Sequence, residues 1–183
     1  MTKLTFKAFT IRDIVFLAVI TAVTLLASAP FAPLVMTATK LGVQAAAMAL
    51  PFALMTSIGL RKVKKTGSLT LVGLFSGLVL LLMAPVMFFN QLIGALLSEG
   101  TALLIFKTYD NKKAVLFSSG LFSFFTIPMT GIVNILAKGR SIKEQIGNPF
   151  TFVLIVAGAI LLGFIGVFIG NKIADELEKA GKL

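Results

Sequence analysis

The chain is 183 residues long, 57% hydrophobic and 13% charged, with a mean hydropathy of +1.01 and a formal net charge of +10. Globular soluble domains are only about 45–50% apolar, so the solvent expected here is a bilayer, and long unbroken apolar runs make the spanning elements helices and not a barrel. The absence of Cys excludes disulfides, iron–sulfur clusters and thiolate-bound metals, and the absence of His excludes a His-based triad or a His-ligated metal.

A spanning helix needs about 20 apolar residues, and six segments meet that need. The first, over 13–35, follows Arg12-Asp13 and carries Ala18 and Ala22 four residues apart among Leu, Ile, Val and Thr. That spacing makes a thin strip where another helix can approach. No cleavable signal peptide is expected, because no convincing small-residue cleavage site stands before Pro30-Phe31-Ala32-Pro33. The second segment, over 41–60, runs into the basic group Arg61, Lys62, Lys64 and Lys65. The third, over 67–84, holds Gly73-x-x-x-Gly77, a pair that lets backbones come close.

The run from Thr66 to Phe106 is too long for one span, so it must turn inside. Pro85, which has no backbone donor, followed by Asn90-Gln91, puts the turn there and starts the fourth segment over 86–106. On that helix Gln91, Ala95, Ser98, Glu99 and Ala102 share one face by i, i+3 and i+4 spacing. The face is small and polar, suited to a bundle interior or a water-filled cavity. Glu99 is the one ionisable residue well inside a span. An acid there is a functional candidate by default; a structural hydrogen bond to a neighbouring helix is the plainer alternative.

The fifth segment, over 113–137, carries Thr126, Thr130 and Asn134 in its second half. The connection that follows, KGRSIKEQIGN, is either a lid or a solvated loop. The sixth, over 150–171, is preceded by Asn148-Pro149, which reads as a helix cap or as part of a polar site. It contains Gly163, Gly166 and Gly170, again suited to close helix contact.

Thirteen of the seventeen Lys and Arg fall in the amino-terminal lead, the 2/3 and 4/5 connections and the tail. The other four are Lys40, Lys138, Arg140 and Lys143. By the positive-inside rule both termini are expected in the cytoplasm, in a single membrane domain spanning 1–183 with six transmembrane helices. The same distribution reads the net charge as topology and not as a nucleic-acid footprint.

No phosphate-binding loop, paired catalytic carboxylates or base-activated nucleophile is present, so an enzyme is not expected. The polar groups at the ends opposite the basic loops are Asn90, Gln91, Thr126, Thr130, Asn134, Asn148 and Thr151. Uncharged amides and hydroxyls in an apolar setting suit a small, mostly neutral ligand. Phe88, Phe89, Phe124, Phe125, Phe150 and Phe152 can add stacking surface or serve as ordinary filling.

Three stretches carry a family resemblance over nearly the whole chain: KLTFKAFTIRDIVFLAVITA, LRKVKKTGSLTLVGLFSGL and GVFIGNKIADELEKAGKL. With them the chain resembles the substrate-binding S component of energy-coupling factor (ECF) vitamin transporters, most closely the Trep_Strep/MptD-type subgroup. The resemblance implies a six-helix bundle in the bacterial plasma membrane, with an outward pocket near helices 4 to 6 and the 1/2 loop. It implies a transmembrane coupling protein and two ABC-type ATPases as partners. The chain itself then needs no cofactor, and ATP and Mg belong to the ATPases. In the family, first-helix alanines contact the coupling protein; by position these are Ala18 and Ala22. Trp and His, found in the pockets of some relatives, do not occur here, which speaks against a thiamine-type site.

The resulting expectation is a micronutrient-binding subunit of an ECF importer, for a ligand such as hydroxymethylpyrimidine or pyridoxine. Its expected substrate-binding set is Phe88, Asn90, Gln91, Glu99, Thr126, Thr130, Asn134 and Asn148. A self-sufficient secondary transporter or channel using Glu99, or a membrane assembly protein without a ligand, are the alternatives.

Overall fold

The computed structural model describes residues 8–31, 33, 40–83, 85–109 and 111–181. Lys3, Lys7 and Lys182, positions 32, 34 and 35 of the first expected span and position 84 of the third lie outside the described residues. Every regular element among the described residues is helical. We label them α1 (Ile11–Ser28), continued by a 3₁₀ turn at Ala29–Phe31, α2 (Val43–Val63), α3 (Ser68–Leu81), α4 (Pro85–Phe106), α5 (Lys112–Lys138), α6 (Ile142–Ile146) and α7 (Pro149–Lys179).

Five of these elements are long and apolar enough to cross a membrane, the character of a multi-pass membrane protein. The expected third span is shorter than the rest: α3 has 14 residues. At the helical rise per residue it reaches about 21 Å, against roughly 30 Å of hydrocarbon core. The turn before Pro85 falls where the sequence puts it, with Pro85 opening α4.

Helix ends follow local chemistry. Thr10 and Asp13 form a capping box on α1, and Asn111 and Asn148 cap α5 and α7 through Lys113 N and Phe150 N. Asn148 thus has the capping role, with Pro149 in the first turn. The α5–α7 connection is not a plain loop: it folds into α6, capped by Ser141 and Glu144.

Glycines set the helix spacing. A Cβ on Gly166 would lie 2.5 Å from Leu50 O, and one on Gly73 would lie 2.9 Å from Gln91 O. These contacts seat α7 on α2 and α3 on α4 at backbone distance, as the glycine spacing leads one to expect. The buried polar face of α1 consists of Thr21, Thr24 and Ser28. Each hydroxyl donates to a carbonyl four residues back at 2.7 Å, so the helix satisfies its own polar groups.

One end of the bundle collects the charges. Arg61, 3% exposed, donates to Asp175 and Glu178 at 2.7 Å each. Lys112 reaches Asp175 at 2.8 Å, and Lys65 reaches Asp13 at 2.6 Å. The start of α1, the α2–α3 connection, the start of α5 and the end of α7 therefore share a face. Beneath it Tyr109 joins the core with Leu60, Leu69 and Val115. Burial pushes its hydroxyl well above the usual phenol range, so it stays neutral.

Candidate functional site

A cavity of about 250 Å³ opens at the end of the bundle opposite the ion pairs. It lies where α1 and α3 end, where α2 and α4 begin, and along the second half of α5. Its polar lining is Ser28, Gln44, Asn90, Gln91, Ser123, Thr126 and Thr130; the apolar lining includes Leu25, Met48, Phe52, Leu80, Met83 and Phe122. Among the described residues, none that lines it is ionisable. Phe52 and Phe122 stack with ring centroids 5.6 Å apart and planes 16° from parallel, giving one wall a flat aromatic surface.

The hydrogen bonds on α5 fix the polarity of the site. Thr126 Oγ1 donates to Ser123 O at 2.7 Å, and Thr130 Oγ1 donates to Thr126 O at 2.9 Å. With its proton committed to its own helix, the Thr130 oxygen can only accept from elsewhere. Asn90 Nδ2 donates to it at 3.0 Å, and that donor sets the orientation of the amide. Asn90 Oδ1 is left buried without a donor among the described residues, as is Gln91 Oε1. A buried acceptor with no donor costs about 1–3 kcal/mol. A ligand or water carrying N–H or O–H groups would remove that cost.

Four of the eight expected substrate-binding residues therefore come together: Asn90, Gln91, Thr126 and Thr130. The other four are placed elsewhere. Glu99, 3% exposed, accepts from Gly67 N at 2.7 Å, from Thr70 N at 2.8 Å and from the Thr70 hydroxyl. These are donors of the first turn of α3. Gly67 holds the cap position with φ of 96° and has no side chain to satisfy them, so α4 supplies the acceptor. Asn134 Nδ2 donates to Gln145 Oε1 at 3.2 Å, fastening α5 to α6. Asn148 is spent on the α7 cap. Phe88 lies against Gly77 and meets Phe89 edge-on at 5.3 Å.

Sequence reasoning passed over Gln44, Ser123, Phe52 and Phe122. Ser123 was the most accessible of these, since it stands three residues before Thr126 on the same stripe. Gln44, near the start of α2, is the amide that faces the site from that helix. The two Phe gave no signal that separates a cavity wall from core filling.

The lid alternative for the α5–α7 connection meets a fastened structure. Gln145, 1% exposed, donates to Arg140 O at 3.2 Å, and its backbone carbonyl accepts from Leu41 N at 2.9 Å. Ala22 does not serve internal packing, and Ala18 does so only in part. The buried face of α1 is Leu17, Thr21, Thr24 and Ser28; Ala22 is exposed beside Val15, Val19 and Leu26, with Ala18 half-buried at the edge.

Comparison of the chain with family models, with curated proteins and with solved structures finds no match.

Proposed function

We propose that this chain is the ligand-binding membrane subunit of an ATP-driven micronutrient importer of the ECF type. The observation that carries the reading is the uncharged cavity with its stacked Phe52–Phe122 wall and two undonated amide oxygens. An uncharged ring bearing N–H or O–H groups fits such a site: the ring lies on the aromatic wall while its donors meet Asn90 and Gln91. Hydroxymethylpyrimidine and pyridoxine are ligands of this kind. The cavity opens opposite the basic face, which under the positive-inside rule makes it outward-facing in a bacterial plasma membrane with both termini inside. Energy would come from two ABC-type ATPases through a transmembrane coupling protein, and the outward strip of Ala18 and Ala22 offers that protein a smooth surface on α1.

The secondary-transporter alternative draws less support, because the oxygens of Glu99 are engaged by the first turn of α3. Two measurements test the proposal. Native mass spectrometry of the purified chain with hydroxymethylpyrimidine and with pyridoxine should give a one-to-one adduct for at least one, weakened by Asn90→Leu. Co-purification with an ECF coupling protein and its ATPases should give a complex, and Ala18→Leu with Ala22→Leu should abolish it while the adduct persists. Failure of the wild-type chain to join any such complex overturns the assignment.

A further inference from the structure

We propose that a second site, on the charged face between α5 and α7, holds the headgroup of an anionic phospholipid of the phosphatidylglycerol type. The site is a crevice of about 340 Å³ lined by Lys112, Lys113, Leu116, Phe168, Asn171, Lys172 and one carboxylate, Asp175. It is separate from the cavity above, and no residue lines both.

Three observations converge on this ligand. The first is unbalanced charge. Asp175 is engaged by Arg61 and Lys112, at 2.7 and 2.8 Å, and Glu176 by Lys179 at 2.7 Å. Among the described residues, no carboxylate pairs with Lys113 or Lys172, so the crevice keeps two uncompensated cations. A phosphodiester placed between them is complementary.

The second is an apolar track leading to those cations. Leu161, Ile165 and Phe168 are 63%, 48% and 72% exposed. With Lys172 they follow i, i+4, i+7 and i+11 spacing, one stripe along α7. The stripe lies within a span, so its exposed side faces acyl chains, and it ends at a lysine. A free phosphate would use the cations alone, whereas a phospholipid uses the stripe as well.

The third is an acceptor. Asn171 lines the crevice, and its Oδ1 is buried with no donor among the described residues. A phosphodiester carries no hydrogen and cannot satisfy it; a glycerol hydroxyl of the headgroup can.

The test uses the full chain in detergent with lipids of matched acyl chains and reads adducts by native mass spectrometry. Phosphatidylglycerol should be retained at activation energies that strip phosphatidylcholine. Lys113→Ala with Lys172→Ala should weaken phosphatidylglycerol on the order of ten- to thirtyfold, at about 1 kcal/mol per lysine. Both side chains are exposed and have no ion pair among the described residues, so the melting temperature should stay unchanged. Asn171→Leu should reduce phosphatidylglycerol binding while sparing phosphatidylmethanol, an anionic phosphodiester whose headgroup has no hydroxyl. Equal retention of phosphatidylglycerol and phosphatidylcholine, or indifference to the double substitution, overturns the proposal. Displacement of phosphatidylglycerol by millimolar inorganic phosphate would show a free-anion site and overturns it too.

Discussion

Glu99→Gln discriminates between the two roles an intramembrane acid can have. In the structure the Glu99 oxygens accept from Gly67 N, Thr70 N and the Thr70 hydroxyl, in a pocket where Glu99 is 3% exposed. Glutamine keeps the shape but replaces one oxygen with an NH₂ group. One backbone N–H of the α3 first turn then faces a donor instead of an acceptor. A buried N–H without a partner costs about 1–3 kcal/mol, and the Thr70 hydroxyl can turn to another acceptor, so about 2 kcal/mol is the expected loss. Glu99→Ala strips both N–H groups and leaves a void, which raises the loss to about 3–5 kcal/mol. Reversible unfolding in mixed micelles reads these values. Amide hydrogen exchange reads the location, since Gly67 and Thr70 should lose protection before the rest of the bundle. Adduct formation at the cavity should persist wherever the chain remains folded. Unchanged stability together with lost binding or lost ion coupling would refute the capping role and return Glu99 to the functional site.

Gly166→Ala puts a methyl 2.5 Å from Leu50 O and should cost about 3 kcal/mol or more in the same unfolding assay, whereas Gly158→Ala, with nothing within 4 Å, should be neutral or stabilising by up to about 1 kcal/mol. Arg61→Ala should cost about 2 kcal/mol by leaving Asp175 and Glu178 without their shared partner Nη2; Arg61→Lys should recover part of it, because the ammonium restores the charge on a shorter side chain. Thr130→Val removes the acceptor that orients the Asn90 amide, so ligand affinity measured by calorimetry should fall about tenfold at nearly constant melting temperature.

The helices were legible because their signals are local. Apolar runs of spanning length, a proline at the α3–α4 turn and the Asn148-Pro149 start of α7 all act within a few residues of where they stand. What was less legible depends on distant partners. The spacing of Glu99 along α4 shows that it faces inward, but its donors lie 29 and 32 residues earlier, at Thr70 and Gly67. That Gly67 leaves the first turn of α3 uncapped by its own side chain is a sequence fact. Pairing that deficit with an acid on another helix requires the fold. The length of α3 was misjudged for a related reason: apolar residues on either side of its end extend the hydropathy signal past the turn.

The cavity shows how a site differs from the polar residues around it. Asn90, Asn134 and Asn148 are the same residue type, at the same end of the bundle, and composition cannot separate them. Their hydrogen bonds can. Asn148 caps its own helix, and Asn134 is matched to Gln145, so each has a complete structural use. Asn90 spends its NH₂ on Thr130 and keeps a buried oxygen without a donor, as does Gln91 beside it. Such a deficit costs about 1–3 kcal/mol, and a bound donor at the cavity would relieve it. The unfilled acceptors, more than the amides themselves, mark this end of the bundle as a place where a ligand or ordered water belongs.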